Sequence, residues 1–265
     1  MSDDHHRAIR TDIPHYARIW NYWMGGTDYY EADRIAGDAG IAIYPGITAM
    51  ATQSRRFLIR AVRFLAETEG IRQFLDIGTG LPTMQNTHEV AQGVAPESKI
   101  VYVDNDPLVL AHARMLLTSS TDEGVTTYID SDYRHPELVV ADARHILDFT
   151  RPLAVMFMGV LGHAQSSDEM LRIVHTVLRA TPAGSYLILW DGTDDTDAYV
   201  RLCAGYSDTG GGPYTPRPQA EIRAVFDGLE LLEPGFVSVP RWRPETSGAE
   251  DIQPIPAYGG VARKP

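Results

Sequence analysis

The sequence predicts an α/β fold: a mostly parallel, doubly wound sheet of seven strands that ends in an antiparallel hairpin. Three observations predict it. Short apolar runs alternate with helical patterns from Gln73 to Trp190, the rhythm of a parallel sheet wrapped by helices. The first run, Gln73 to Ile77, carries an acid, Asp76, and breaks into Gly78-Thr79-Gly80. The last two runs, around Leu229 to Val239 and Ala257 to Ala262, have no helix between them, so they pair antiparallel.

Residues 1–50, the region that the resemblance described below makes a helical cap, are rich in aromatics (Tyr16, Trp20, Tyr22, Trp23, Tyr29, Tyr30, Tyr44) and interrupted by Gly25-Gly26. Residues 51–265 form the expected main domain. It opens with a helix over Ser54 to Glu69, where Phe57, Leu58, Ala61, Val62 and Leu65 recur at helical spacing before Gly70. Strand one is Gln73 to Ile77, followed by a helix from about Met84 to Val94. Strand two is Lys99 to Val103, and Pro107 opens the next helix where a missing N–H costs nothing. Strands three and four are Val125 to Ile129 and Leu153 to Met158. Ser166-Ser167-Asp168-Glu169 caps a helix running to about Ala180, and Pro182-Ala183-Gly184 turns into strand five, Ser185 to Trp190. A loop, Gly210-Gly211-Gly212-Pro213, and a helix over Gln219 to Phe226 precede the hairpin.

Of the 265 residues 44% are hydrophobic, enough to fill the core of one large domain. A net charge of −12 excludes a broad electrostatic hold on nucleic acid or an anionic membrane. Cys203 is the only cysteine, which excludes an internal disulfide and a cysteine metal cluster. Met1 to Arg10 is charged and polar, unlike a signal peptide, and the longest apolar stretch, Pro152 to Gly162, is too short to span a bilayer. The expected setting is the cytoplasm and the expected partner a small molecule, with no nucleic acid, membrane or metal.

The turn after strand one carries the chemistry. Gly78 and Gly80, flanking Thr79, let the backbone approach a ligand where a Cβ would collide. Asp76 stands two residues before Gly78, where enzymes that use S-adenosylmethionine carry an acid for the methionine ammonium; NAD enzymes carry theirs after the second strand. A tight turn with no ligand is the plainer alternative. A dinucleotide fingerprint wants Gly or Ala where Thr83 stands, and Pro82 replaces the usual third glycine of S-adenosylmethionine enzymes. The only lysines, Lys99 and Lys264, are preceded four residues earlier by Ala95 and Gly260, so the Tyr-Lys pair of short-chain dehydrogenases is excluded. Asp104, ending strand two, can accept both ribose hydroxyls, with Asn105 beside the adenosine and Asp106 capping the next helix. After strand three, Asp132 rather than Asp130 is favoured for the adenine amino group, with Tyr133 on the ring edge. Gly159, in the stretch Met158 to His163, would line the sulfonium face. The cofactor expected is S-adenosylmethionine, leaving as S-adenosylhomocysteine.

At these residues the chain resembles the S-adenosyl methyltransferase family of actinomycetes, formerly a domain of unknown function. The matching stretches are Arg18 to Gly26, Ala32-Asp33-Arg34, Arg56 to Leu65, Gln73 to Thr83, Tyr102 to Pro107, Gly159 to His163, Gly184 to Leu187, Phe226 to Leu229, Trp242-Arg243-Pro244 and Tyr258 to Val261. The resemblance implies one Rossmann-like class I methyltransferase domain with an N-terminal helical cap. It supplies no substrate. Where members often read Gly-Lys-Asp, this chain reads Gly26-Thr27-Asp28.

Aromatic rings can stabilise a sulfonium, which makes Tyr22, Trp23 and Tyr30 candidates for closing over it, with Gly25-Gly26 as a hinge or close turn. Arg18 and Asn21 either contact the methionine carboxylate or fix the cap. His163 is the first candidate for a base and Asp191 the second, against plain structural hydrogen bonding. Asp191, Asp194, Asp195 and Asp197 suggest a metal site less than a helix cap. The leading expectation is methyl transfer to a small molecule, as in specialised metabolism. The alternatives are a non-catalytic S-adenosylmethionine sensor and an NAD(P) oxidoreductase.

Overall fold

The computed structural model describes residues 10–81, 85–116, 119–205, 213–245 and 252–265. Three helices come first: α1 (Tyr16–Trp23), α2 (Glu31–Ile43) and α3 (Ile47–Glu67). The alternating part follows: β1 (Gln73–Ile77), α4 (Thr87–Val94), β2 (Lys99–Asp104), α5 (Pro107–Leu116), β3 (Val125–Asp130), α6 (Pro136–Ala143), β4 (Ala154–Met158), α7 (Ser167–Ala180) and β5 (Tyr186–Gly192). The chain ends with α8 (Asp197–Ala204), α9 (Gln219–Arg223), β6 (Glu230–Leu231), β7 (Val237–Ser238) and β8 (Ala257–Arg263).

The sheet order is β3-β2-β1-β4-β5-β8-β6, with β7 also on β8. Strands β1 to β5 pair in parallel, and β8 runs antiparallel to β5, β6 and β7. Successive strand residues point to opposite faces. Phe74, Tyr102, Met156 and Ile188 therefore meet Phe57, Leu58, Leu65 and Trp242 on one side. Leu75, Val101, Val155 and Leu187 meet Val139, Ile173 and Val177 on the other. Both faces are buried, as a parallel sheet requires.

Three details differ from the sequence reading. The predicted helix over Ser54 to Glu69 begins earlier, at Ile47, so the boundary after residue 50 falls inside α3. The single late strand is two short ones, because Pro234 lacks an amide donor and Gly235 takes φ +89° between them. The helices α6 and α8, eight residues each, are too short for periodicity to separate them from loops. The expected start of the second helix at Met84 and the glycine loop 210–212 lie outside the described residues.

The cap is organised around one buried acid. Asp33 Oδ1 accepts from the His15 amide at 2.8 Å, and Oδ2 accepts from Arg18 Nε at 2.6 Å and the Tyr30 amide at 2.8 Å. Arg18 also donates to the carbonyls of Ile13 and Arg10 at 2.6 and 3.1 Å. His15 Nε2 then reaches Asp106 Oδ2 at 2.5 Å, tying the start of α1 to the loop after β2.

Candidate functional site

A cavity of about 460 Å³ opens where the C-terminal ends of β1, β2 and β4 meet the cap. Its floor is backbone. Gly78 has φ +73° and Gly80 φ +65°. The Gly78 and Thr79 amides donate to Val103 O at 2.8 and 3.3 Å, fixing the first turn to the end of β2. A Cβ at Gly78 would meet Val160 at 2.4 Å, whereas one at Gly80 would meet nothing within 4 Å. Gly78 is thus required by packing and Gly80 by its left-handed backbone.

Two carboxylates flank this turn. Asp76 is 3% exposed and accepts from Thr87 Oγ1 at 2.7 Å. Burial pushes its carboxyl up to about 6, opposed by Thr87 and by the Arg55 charge. Asp104 is 7% exposed and accepts three backbone N–H groups: Gly80 at 2.9 Å, Asn105 at 2.9 Å and Asp106 at 3.0 Å. Burial raises its carboxyl as well, against those hydrogen bonds. A carboxylate offers about four lone-pair sites. Three are in use, which leaves about one for a further donor.

Nine of the predicted site residues line this one cavity: Asp76, Gly78, Thr79, Gly80, Asp104, Asn105, Tyr133, Gly159 and His163. Six do not, each for a visible reason. Asp132 is held by Arg134, whose guanidinium and amide donate to it at 2.9 Å, while Ser131, Tyr133 and Arg134 line the cavity instead. Although burial works the other way, that partner keeps the Asp132 carboxyl below its ordinary range. Arg18 is spent on Asp33. Asn21 accepts from the Asp28 amide at 3.0 Å and packs so closely on Gly26 that a Cβ there would lie 2.3 Å from it. Tyr22 donates to Asp38 at 2.6 Å on the surface. Of the aromatics proposed to close over the sulfonium, Trp23 is buried against Gly37 O at 3.0 Å and Tyr30 is 40% exposed. Tyr16 and Trp20 of α1 line the cavity instead.

Asp191 is 2% exposed and lies behind the lining. Tyr214 donates to its Oδ1, and the Gly192 amide donates to the same oxygen at 2.8 Å. Oδ2 is buried with no hydrogen-bond partner among the described residues. Burial raises the Asp191 carboxyl. No group of three or more His, Cys, Asp or Glu able to hold a metal occurs among the described residues.

The sequence reading missed Arg55, a half-buried arginine that lines the cavity and donates to Asn86 Oδ1 at 2.7 Å. Its signal was present: Ala51, Arg55, Leu58 and Val62 share the apolar stripe of α3, where an arginine is out of place. Trp190, Tyr199 and Tyr214 were missed because they sit on a strand, the helix after it and a loop, with no shared periodicity that marks them as one wall.

The family model described as S-adenosyl methyltransferase matches residues 2–265. The chain belongs to the S-adenosyl methyltransferase family. It is an S-adenosylmethionine-dependent methyltransferase of class I fold. A DUF574 family protein from Streptomyces avermitilis MA-4680 is 44% identical, with 96% of this chain and 99% of that chain covered and a TM-score of 0.90. A candidate methyltransferase from Thermobifida fusca YX is 38% identical, with 96% and 97% covered and a TM-score of 0.87. The plantazolicin methyltransferase BpumL, 10% identical with 94% and 96% covered and a TM-score of 0.54, shares the fold. No curated protein matches the chain. The family match overturns the NAD(P) alternative. No helix among the described residues is long and apolar enough to cross a membrane.

Proposed function

We propose that this methyltransferase modifies a small-molecule acceptor, of the kind specialised metabolism supplies, enclosed between cap and sheet. One observation carries the reading: a single cavity joins the strand-turn cradle of Asp76, Gly78–Gly80 and Asp104 to an aromatic pocket under α1. The donor set fits a zwitterionic amino acid linked to a nucleoside. Asp76 and Arg55 form an acid–base pair of walls, one for an ammonium and one for a carboxylate. Asp104 and Asn105 suit the ribose, and Tyr133 the adenine edge. Gly159, at φ +78° under the Trp190 ring, brings backbone rather than side chain to the middle of the cavity.

When bound, the cofactor supplies an electrophilic methyl group on a good leaving group. The chain's own task is then to align the acceptor and exclude water. The cap does both, because Tyr16, Ala17, Trp20 and Met24 close the cavity from above. Calorimetric titration with S-adenosylmethionine, S-adenosylhomocysteine and NAD tests the cofactor assignment. Micromolar binding of the first two is expected. Tight NAD binding without them would overturn it, and binding without turnover on any acceptor would make the chain a sensor.

A further inference from the structure

We propose that the chain carries a second binding site, for a phosphate monoester on a small hydroxylated skeleton, at the end of the sheet opposite the cavity described above. This site is independent of the acceptor reading.

The topology builds it. Strands β1, β4 and β5 run parallel, so their N-terminal ends share one edge of the sheet. Antiparallel β8 returns its C-terminal end to that same edge. The register sets Phe74 beside Ala154, Ala154 beside Tyr186 and Tyr186 beside Arg263. Arg72 stands just before β1 and Arg151 just before β4, so three arginines well separated in the sequence arrive at one place. A cavity of about 360 Å³ opens there, lined by Arg72, Arg151, Arg263, Glu69, Gln73 and Tyr186 among others. It shares no lining residue with the first cavity.

The charge of these walls runs against the rest of the molecule. The chain carries 35 Asp and Glu against 23 Lys and Arg, yet here three guanidiniums face one carboxylate. That carboxylate, Glu69, already accepts from the Tyr186 hydroxyl at 2.7 Å. Like charges gathered around one cavity repel, and a bound anion turns that repulsion into attraction.

The three forks keep donors for an anion. A guanidinium offers five N–H groups in a rigid plane. Arg72 donates through Nε to Glu97 at 2.8 Å and through Nη1 to Ala66 O and Ile71 O at 2.8 and 3.0 Å. Those bonds fix its plane and leave Nη2 without a partner among the described residues. Arg263 donates through Nη1 to Glu230 at 3.1 Å. The Arg151 guanidinium makes no hydrogen bond or ion pair among the described residues. Glu97 and Glu230 do not line the cavity, and each side chain is 58% exposed, so they neutralise little inside it.

The donor set selects the anion. A carboxylate has one charge and two oxygens, which a single guanidinium satisfies. A phosphate monoester carries a charge of about −1.5 to −2 near neutral pH and three strong acceptor oxygens, one edge for each of three forks. Inorganic phosphate shares that chemistry, but the cavity falls within the range of about 300–1,000 Å³ typical of small-molecule sites and is larger than a five-atom ion needs. The skeleton that fills the remainder is polar. Tyr186 supplies the one ring in the lining and is itself 4% exposed, so no flat aromatic face is offered. The second oxygen of Glu69 is an acceptor for a hydroxyl. Long polyanions are disfavoured by the net charge of −12.

The test is calorimetry on the full chain at fixed ionic strength, with ribose 5-phosphate, inorganic phosphate and ribose as probes. Ribose 5-phosphate is expected to saturate with a Kd below about 1 mM, inorganic phosphate to bind at least about fivefold more weakly, and ribose not to bind. Arg151→Gln and Arg263→Gln should each weaken ribose 5-phosphate at least about tenfold. Arg151 makes no bond that its loss would break, so Arg151→Gln should leave the thermal midpoint unchanged and a weakened affinity cannot be put down to misfolding. S-adenosylhomocysteine should not compete, because the two cavities share no wall. No saturation up to about 20 mM would overturn the site, as would binding that survives both substitutions or is displaced by S-adenosylhomocysteine. Equal affinity for the ester and the free ion would remove the skeleton. Tighter binding to a short RNA or to phosphatidylserine vesicles, lost in the same variants, would replace the small molecule with a macromolecular partner.

Discussion

The two halves of the cavity are built on opposite plans. The half proposed for the cofactor is backbone: amides of Gly78, Thr79 and Gly80 lock two strand ends together through Val103 O and Asp104. The half proposed for the acceptor is side chain: rings from α1, β5, α8 and the strap 213–217, held by Arg217, Asp191 and the cap's Arg18–Asp33 pair. The first plan fixes a ligand common to the family's reaction. The second can be retuned by single substitutions without disturbing the sheet. Four substitutions or conditions break or sharpen this division, taken from the largest effect to the smallest.

Arg18→Ala strands the buried Asp33 carboxylate and should cost about 3–5 kcal/mol of stability, read by chemical denaturation. If affinity for the cofactor fell instead while stability held, Arg18 would belong to the cofactor half. Tyr214→Phe removes one of the donors to Asp191 and should cost about 1–3 kcal/mol of stability. It should raise the acceptor KM and leave cofactor affinity unchanged. The reverse pattern would merge the two halves. Asp104→Ala should weaken S-adenosylmethionine binding by about 1–3 kcal/mol in calorimetry, and an unchanged affinity would remove Asp104 from the site.

The same division explains what the sequence made legible. Asp76, Gly78, Gly80 and Asp104 lie at strand ends, where a few consecutive residues determine both the backbone and its purpose. The alternation of runs likewise gave the parallel sheet and its antiparallel end. The half proposed for the acceptor sets Trp20 of α1 against Trp190, Tyr199 and Tyr214, some 170 residues further along the chain, and nothing local marks them as neighbours. Asn21, Tyr22 and Gly26 misled for a related reason. They sit in a distinctive motif, but the motif encodes the packing of one helix and turn, with Asn21 against Gly26 and Tyr22 on Asp38. Asp132 pairs with Arg134, two residues away, and stays out of the lining; a sequence does not say which charge an acid will choose.

The smallest effect is a pH dependence, and it belongs to the cofactor half alone. Burial lifts the Asp76 carboxyl from its ordinary 3.8 to about 6. With no ligand, the folded chain binds more protons there than the unfolded chain. The stability this group contributes is therefore present below 3.8 and is lost as pH rises through about 6. A cofactor ammonium has the opposite preference, since it pairs with the ionised form. Affinity should then fall about tenfold between pH 7.5 and pH 5, or about 1.4 kcal/mol. The thermal shift produced by S-adenosylmethionine should shrink in parallel. In Asp76→Asn the same titration should be weak and flat. A slope that survives in Asp76→Asn would assign the pH dependence to another group and detach the ammonium from Asp76.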